Sequence, residues 1–102
     1  VVRPDGRLLY ASRAPIPSSK VLKFVKGWRQ VCVYAFPRKT LKIFSSVKKK
    51  TELEKIEDIE YLRFLELGLE MRAVKMSKNS MAVDTPHDVK LVKKKIAKLG
   101  LK

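Results

Sequence analysis

Val31-Cys32-Val33-Tyr34-Ala35-Phe36-Pro37-Arg38-Lys39-Thr40-Leu41-Lys42-Ile43-Phe44-Ser45-Ser46 changes character at its proline. Residues 31–36 form a continuous apolar run, rich in β-branched and aromatic side chains, which predicts a strand buried on both faces and therefore central in its sheet. Pro37 lacks an amide hydrogen and suits the first turn of a helix, where that hydrogen has no partner anyway. A helix over about 38–46 follows. A buried strand that feeds directly into a helix points to an α/β arrangement, with helices packed on a sheet.

Upstream, Pro4-Asp5-Gly6 is a turn signature in which Gly supplies positive φ. Arg7-Leu8-Leu9-Tyr10-Ala11 then reads as a short strand, so this end is a hairpin or the entry to one. In Ser12-Arg13-Ala14-Pro15-Ile16-Pro17-Ser18-Ser19, two prolines one residue apart fix φ and remove two donors. The result is a stiff, extended loop. Residues 20–30 are basic and hold the one tryptophan, Trp28.

Downstream, Lys48-Lys49-Lys50 makes an exposed connection. From Thr51, Leu53, Ile56, Ile59, Leu62, Leu65 and Leu69 recur every three to four residues, with Glu52 and Glu54 in the first turn to favour the helix dipole. This predicts one helix from Thr51 that ends at Gly68. Residues 71–76 alternate in polarity and predict a strand; Ser77-Lys78-Asn79-Ser80 predicts a turn. Before the last helix, Thr85 is placed as a cap, Pro86 at the first helical position and Asp88 at the third, and Val89, Val92, Ile96 and Leu99 continue the period. The predicted order is β, loop, β, α, α, β, β, α.

The chain has 102 residues, enough for one domain, and it is 45% apolar and 33% charged, which excludes collagen-like and fully disordered classes. Its net charge of +14 raises polyanion binding as a first reading. The charge is unevenly placed. Residues 1–50 carry thirteen basic groups and one acid, residues 51–70 carry seven carboxylates against Lys55 and Arg63, and Lys90–Lys102 holds six lysines and no acid. That distribution spreads the lysines over several elements, and no recognition-helix, RNP or zinc-finger signature accompanies them. A small basic nucleic-acid-binding module is thus the alternative reading, and nucleic acid an unfavoured partner. A structural interaction domain, with the acidic stretch meeting a basic surface, is a third.

Cys32 is alone, so no intrachain disulfide framework exists, and a reducing, cytoplasmic setting is expected. It is read as a buried strand residue rather than a nucleophile, since His87, the one histidine, offers no partnered base nearby in sequence. No apolar segment approaches the roughly 20 residues that span a bilayer. The sequence begins Val1-Val2-Arg3 on a strand-like segment, which is read as the start of a fragment.

Four segments carry a resemblance when taken together and in order: Ser12-Arg13-Ala14-Pro15-Ile16-Pro17; Val33-Tyr34-Ala35-Phe36; Glu54-x-x-Glu57-x-x-Glu60-x-Leu62-Arg63; and Val83-Asp84-Thr85-Pro86-x-Asp88. From about Val2 to Val92 the chain resembles the C-terminal half of the acidic-sugar cytidylyltransferases, and most closely the 3-deoxy-manno-octulosonate (KDO) cytidylyltransferases. The resemblance implies the C-terminal portion of a Rossmann-like nucleotidyltransferase fold, a mixed sheet with packed helices, in which residues 1–102 form part of one domain. It also implies transfer of CMP from CTP to the anomeric hydroxyl of a 3-deoxy-2-ulosonic acid, with release of pyrophosphate, in lipopolysaccharide or capsule biosynthesis. A homodimer is implied as well.

By the same resemblance Asp84 is the catalytic carboxylate and a ligand of Mg²⁺, a hard cation that neutralises the triphosphate and acidifies the attacking hydroxyl. Read locally, Asp84 is instead a turn or capping residue. Arg13 can fork a carboxylate or phosphate of the sugar site, or stand solvated in an interface loop. Tyr34 and Glu60 correspond to sugar-pocket residues; without the resemblance they read as a core aromatic and a member of an acidic helix face. Two positions depart from the family pattern: Gln30 stands where the family has a histidine, and Tyr61 where it has a glutamine. Both fall where the sugar is read, so the acceptor is KDO or a relative. The Gly-rich nucleotide loop of the family is absent from these residues, so the isolated chain is expected neither to bind CTP nor to turn over.

Overall fold

In a computed structural model, which describes residues 1–77 and 81–101, the stretch 31–46 does divide at Pro37, but only its second half takes regular structure. Helix α1 spans Arg38–Ser46 with Pro37 as its N-cap, one position ahead of the first turn. Residues 31–36 form no strand. Val33 N–H donates to Val31 O at 2.8 Å, closing a three-residue turn that a straight strand cannot contain. Residues 32–35 are exposed, and Cys32 is an exposed free thiol rather than the buried strand residue expected of it. A strand persists only where neighbours take its backbone donors and acceptors, and among the described residues none is paired with this segment.

The other extended segments pair sparingly. Among the described residues there are three isolated antiparallel bridges, Val2 with Leu8, Arg7 with Arg72 and Ser18 with Phe24, and no mixed sheet is assembled. The expected turn at Pro4–Gly6 is formed: Gly6 N–H donates to Arg3 O at 2.9 Å, and Gly6 takes φ of 88°. Residues 71–76 reach this hairpin at one point, where Leu8 N–H donates to Met71 O and Ala73 N–H to Gly6 O, each at 2.8 Å. The turn expected at Ser77–Ser80 falls on Lys78, Asn79 and Ser80, which lie outside the described residues.

The helix expected from Thr51 to Gly68 is two helices, α2 (Glu52–Glu57) and α3 (Leu62–Glu66). Asp58 breaks it with φ of 51°, a left-handed conformation that Asp tolerates better than most residues. Uninterrupted helix would need the carbonyls of Glu57 and Asp58 for amides one turn on. Arg13 holds both instead: its Nε donates to Glu57 O at 2.5 Å and its Nη2 to Asp58 O at 2.8 Å. Gly68 ends α3 as expected. At φ of 73° it lets Leu69 N–H reach Phe64 O and Gly68 N–H reach Leu65 O, a Schellman closure. Helix α4 (Pro86–Lys98) starts with Pro86 at the first position and a capping box, in which Asp88 N–H donates to Thr85 Oγ1 at 3.3 Å and Thr85 N–H to the Asp88 carboxylate at 2.8 Å.

Among the described residues, the buried side chains gather at the α2–α3 corner: Glu54, Tyr61, Leu62 and Phe64. Of the apolar stripe read for one long helix, Leu62 is buried while Ile56 faces solvent, because the break at Asp58 turns the two halves apart. A radius of gyration of 16.7 Å exceeds the roughly 13 Å of a compact domain of this length, so the chain is open around a small core. No helix among the described residues is long and apolar enough to cross a membrane.

Candidate functional site

The corner that carries the candidate site is locked by crossed carboxylates. Glu54, on α2, takes Thr51 N–H at 3.1 Å and receives Arg63 Nε and Nη2 at 2.6 and 2.7 Å. Glu66, on α3, reaches back to accept Leu53 and Glu54 N–H at 3.0 and 3.2 Å, which satisfies first-turn donors of α2. The Arg63 hydrogen bonds hold the Glu54 carboxyl below its usual range despite its burial. Arg63 also donates to Val47 O at 3.1 Å and lies 4.0 Å over the Phe44 ring, so α1 is tied to the same corner. Phe64 sits between Phe36 and Phe44, each ring centroid 4.7 Å away.

These contacts frame a cavity of about 160 Å³ lined by Tyr34, Phe36, Leu41, Phe44, Glu60, Tyr61 and Phe64. Three of the residues expected to read a sugar, Tyr34, Glu60 and Tyr61, are therefore brought to one wall. Gln30 joins them from behind: Tyr61 Oη donates to Gln30 Oε1 at 2.6 Å, Gln30 Nε2 donates to Tyr34 Oη, and it also reaches Cys32 Sγ at 3.6 Å. The Tyr34 and Tyr61 rings are 5.6 Å apart and tilted by 47°. Burial and the neighbouring Cys32 push the Tyr34 phenol up to about 12, and burial raises Tyr61 as well, so both keep their protons at neutral pH. The wall thus offers phenols and a carboxylate beside aromatic faces, a set suited to a small polyhydroxylated ligand.

Arg13 and Asp84 stand elsewhere. Besides capping α2, Arg13 donates its backbone N–H to Glu57 Oε2 at 2.9 Å and lies 3.8 Å from the Asp58 carboxylate. Its guanidinium is thus used within the fold, although the side chain stays exposed. Asp84 lies in an open groove with Thr85, Pro86, Lys90 and Lys93 at the start of α4, and its N–H donates to Asp88 Oδ2 at 3.2 Å. Asp88 is committed to the cap. Among the described residues no group of three or more acidic, His or Cys side chains is placed to hold a metal. One free carboxylate beside two lysines does not make a magnesium site, which calls for about six oxygens, so Asp84 fits Mg²⁺ only as a single ligand of a shared site.

Phe36, Leu41, Phe44 and Phe64 line the cavity without having been read as site residues. The available signal is three aromatics, Phe36 just before α1, Phe44 in its last turn and Phe64 on α3.

No family model matches the chain. Individual proteins do. It is 35% identical over 95 residues to a 3-deoxy-manno-octulosonate cytidylyltransferase of Chlorobium limicola, covering 92% of this chain and 38% of that protein. The protein of the same name from Chlorobium luteolum is 37% identical over 97 residues, covering 91% of this chain and 37% of its own length. That of Bdellovibrio bacteriovorus is 32% identical over 106 residues, covering 99% of this chain and 42% of its own length. The chain therefore spans about two-fifths of the length of the curated relatives it matches, and over about nine-tenths of its own residues it resembles the 3-deoxy-manno-octulosonate cytidylyltransferases.

Proposed function

We propose that this chain is the acceptor-sugar side of a cytidylyltransferase. The whole protein transfers CMP from CTP to a 3-deoxy-2-ulosonic acid, KDO or a relative, for lipopolysaccharide or capsule synthesis in the cytoplasm. The observation that carries this reading is the similarity to proteins of that name over about nine-tenths of the chain. The gathering of Tyr34, Glu60 and Tyr61 on one cavity wall supports it, since these are the positions that the resemblance assigns to the sugar.

In the reaction the anomeric hydroxyl oxygen bonds to the α-phosphorus of CTP, the bond from that phosphorus to the bridging oxygen breaks, and pyrophosphate departs as the hydroxyl proton is lost. The tyrosines and Glu60 orient the sugar. Asp84 would offer one carboxylate to a Mg²⁺, which would neutralise the triphosphate and acidify the attacking hydroxyl. Arg13 acts by holding the end of α2, and hence Glu60, in place. The nucleotide-binding half and the strands that complete a mixed sheet around residues 31–36 and 71–76 belong to the rest of the protein. Exposed Val21, Leu22, Phe24, Val25 and Trp28 form the apolar part of a homodimer contact.

The test is pyrophosphate release by the full-length protein with CTP, Mg²⁺ and KDO. Release that needs both substrates and is abolished by Asp84→Asn in a folded protein supports the reading; residues 1–102 alone should release none. Absence of release by the full-length protein with any ulosonic acid, alongside salt-sensitive binding of random DNA, would replace it with the nucleic-acid reading.

A further inference from the structure

The hydrogen bonds joining Tyr61, Gln30 and Tyr34 have a direction, and that direction restricts what the cavity accepts. An amide has distinct ends: its oxygen only accepts and its nitrogen only donates. Tyr61 Oη spends its proton on Gln30 Oε1 at 2.6 Å. Gln30 Nε2 then donates to Tyr34 Oη and toward Cys32 Sγ, so both amide hydrogens are committed. Tyr34 receives this hydrogen bond and is itself hydrogen-bonded to Cys32, so its hydroxyl is taken up within the wall. Tyr61 keeps only a lone pair for the cavity. Neither phenol ionises near neutral pH, so the pattern does not dissolve there.

We infer that Gln30 is a positioning residue, not a sugar contact, and that it sets Tyr61 as an acceptor toward the cavity, so that a ligand places a hydroxyl hydrogen on Tyr61 or Glu60. On the proposed cytidylyltransferase reading, on which this part rests, a free hydroxyl of the acidic sugar faces Tyr61 and Glu60. The two positions that depart from the family pattern, Gln30 and Tyr61, are the two ends of one hydrogen bond. They act as one specificity unit.

The first measurement needs no turnover. In the substrate-free full-length protein, the Raman doublet of a tyrosine ring reports whether its phenol donates or accepts. The wild-type minus Tyr61→Phe spectrum should carry the strong-donor signature, and Gln30→Met should erase it. An acceptor signature for Tyr61 would mean that the amide points the other way and would overturn the inference. The second measurement is kinetic. Tyr61→Phe should raise KM for KDO about 2- to 10-fold, the worth of one neutral hydrogen bond, with KM for CTP unmoved. Gln30→Met should raise the same KM, and the double variant should be no worse than the larger single effect. Effects that multiply would make Gln30 an independent contact. A protein with the donor signature at Tyr61 but no CMP transfer to any ulosonic acid would sink the proposed function and leave the polarised pair standing.

Discussion

Replacing Phe64 with Leu tests what holds the cavity wall to the core. Phe64 is 3% exposed and stacks on Phe36 at 4.7 Å and 13° and on Phe44 at 4.7 Å and 23°. Leucine keeps the apolar character and much of the volume, so the main loss is two ring pairs, each worth about 0.5–1.5 kcal/mol beyond burial. The expected cost is about 1–3 kcal/mol. With a urea slope of about 1–3 kcal/mol per molar for a small protein, the unfolding midpoint should fall by about 1 M. Two double-mutant cycles, with Phe36→Leu and with Phe44→Leu, should each return a coupling of about 0.5–1.5 kcal/mol. Because Phe36 in turn stacks on Tyr34 at 5.9 Å, Phe64→Leu should also let the Tyr34 phenol ionise at lower pH than its present value of about 12. Couplings of zero in both cycles, or a midpoint shift no larger than that of Leu101→Ala at an exposed site, would refute the stacked-core account.

Acid should weaken the corner. The carboxyl of Glu54 is held below its ordinary value chiefly by the Arg63 hydrogen bonds, so its stabilisation is complete above the unfolded-state value and is lost as pH falls through the lower folded one. Unfolding followed against pH should show stability declining below about pH 4, and Arg63→Gln should flatten that decline while lowering stability at neutral pH. At α4, Thr85→Ala removes the acceptor for Asp88 N–H and should cost about 1 kcal/mol of helix stability, read as roughly fivefold faster amide exchange over residues 86–90. Unchanged exchange there would mean that the capping box does not hold the helix start.

The features legible in the sequence were those closed by near neighbours. The turn at Gly6, the start of α1 after Pro37, the stop at Gly68 and the Thr85–Asp88 box each depend on residues within about four positions, and all are present. Features that depend on distant partners did not follow from pattern. The apolar run 31–36 has strand composition, yet among the described residues no neighbouring strand pairs with it, and Val33 turns back on Val31. The long-helix period from Leu53 to Leu69 is real, but it carries no sign that Arg13, more than forty residues upstream, takes the carbonyls of Glu57 and Asp58. A charged side chain that caps a helix from another segment leaves no periodic trace.

The candidate site shows the same division. Glu60 and Tyr61 are adjacent in a short turn, and by composition alone Glu60 reads as a member of an acidic helix face. What makes them site residues is the break at Asp58, which sets the start of α3 against the aromatic wall of Phe36, Phe44 and Phe64. Resemblance could point to Tyr34, Glu60 and Tyr61 one at a time, because a family pattern is read position by position. It could not show that Gln30 and Tyr61, thirty-one residues apart, share a hydrogen bond. Changing Gln30 alone leaves the buried Tyr61 phenol without its partner, a penalty of about 1–3 kcal/mol, whereas a matched change can keep both groups satisfied. Departures at two positions of a binding wall are therefore better weighed as a pair, by asking whether the new side chains bond to each other before asking what each offers a ligand.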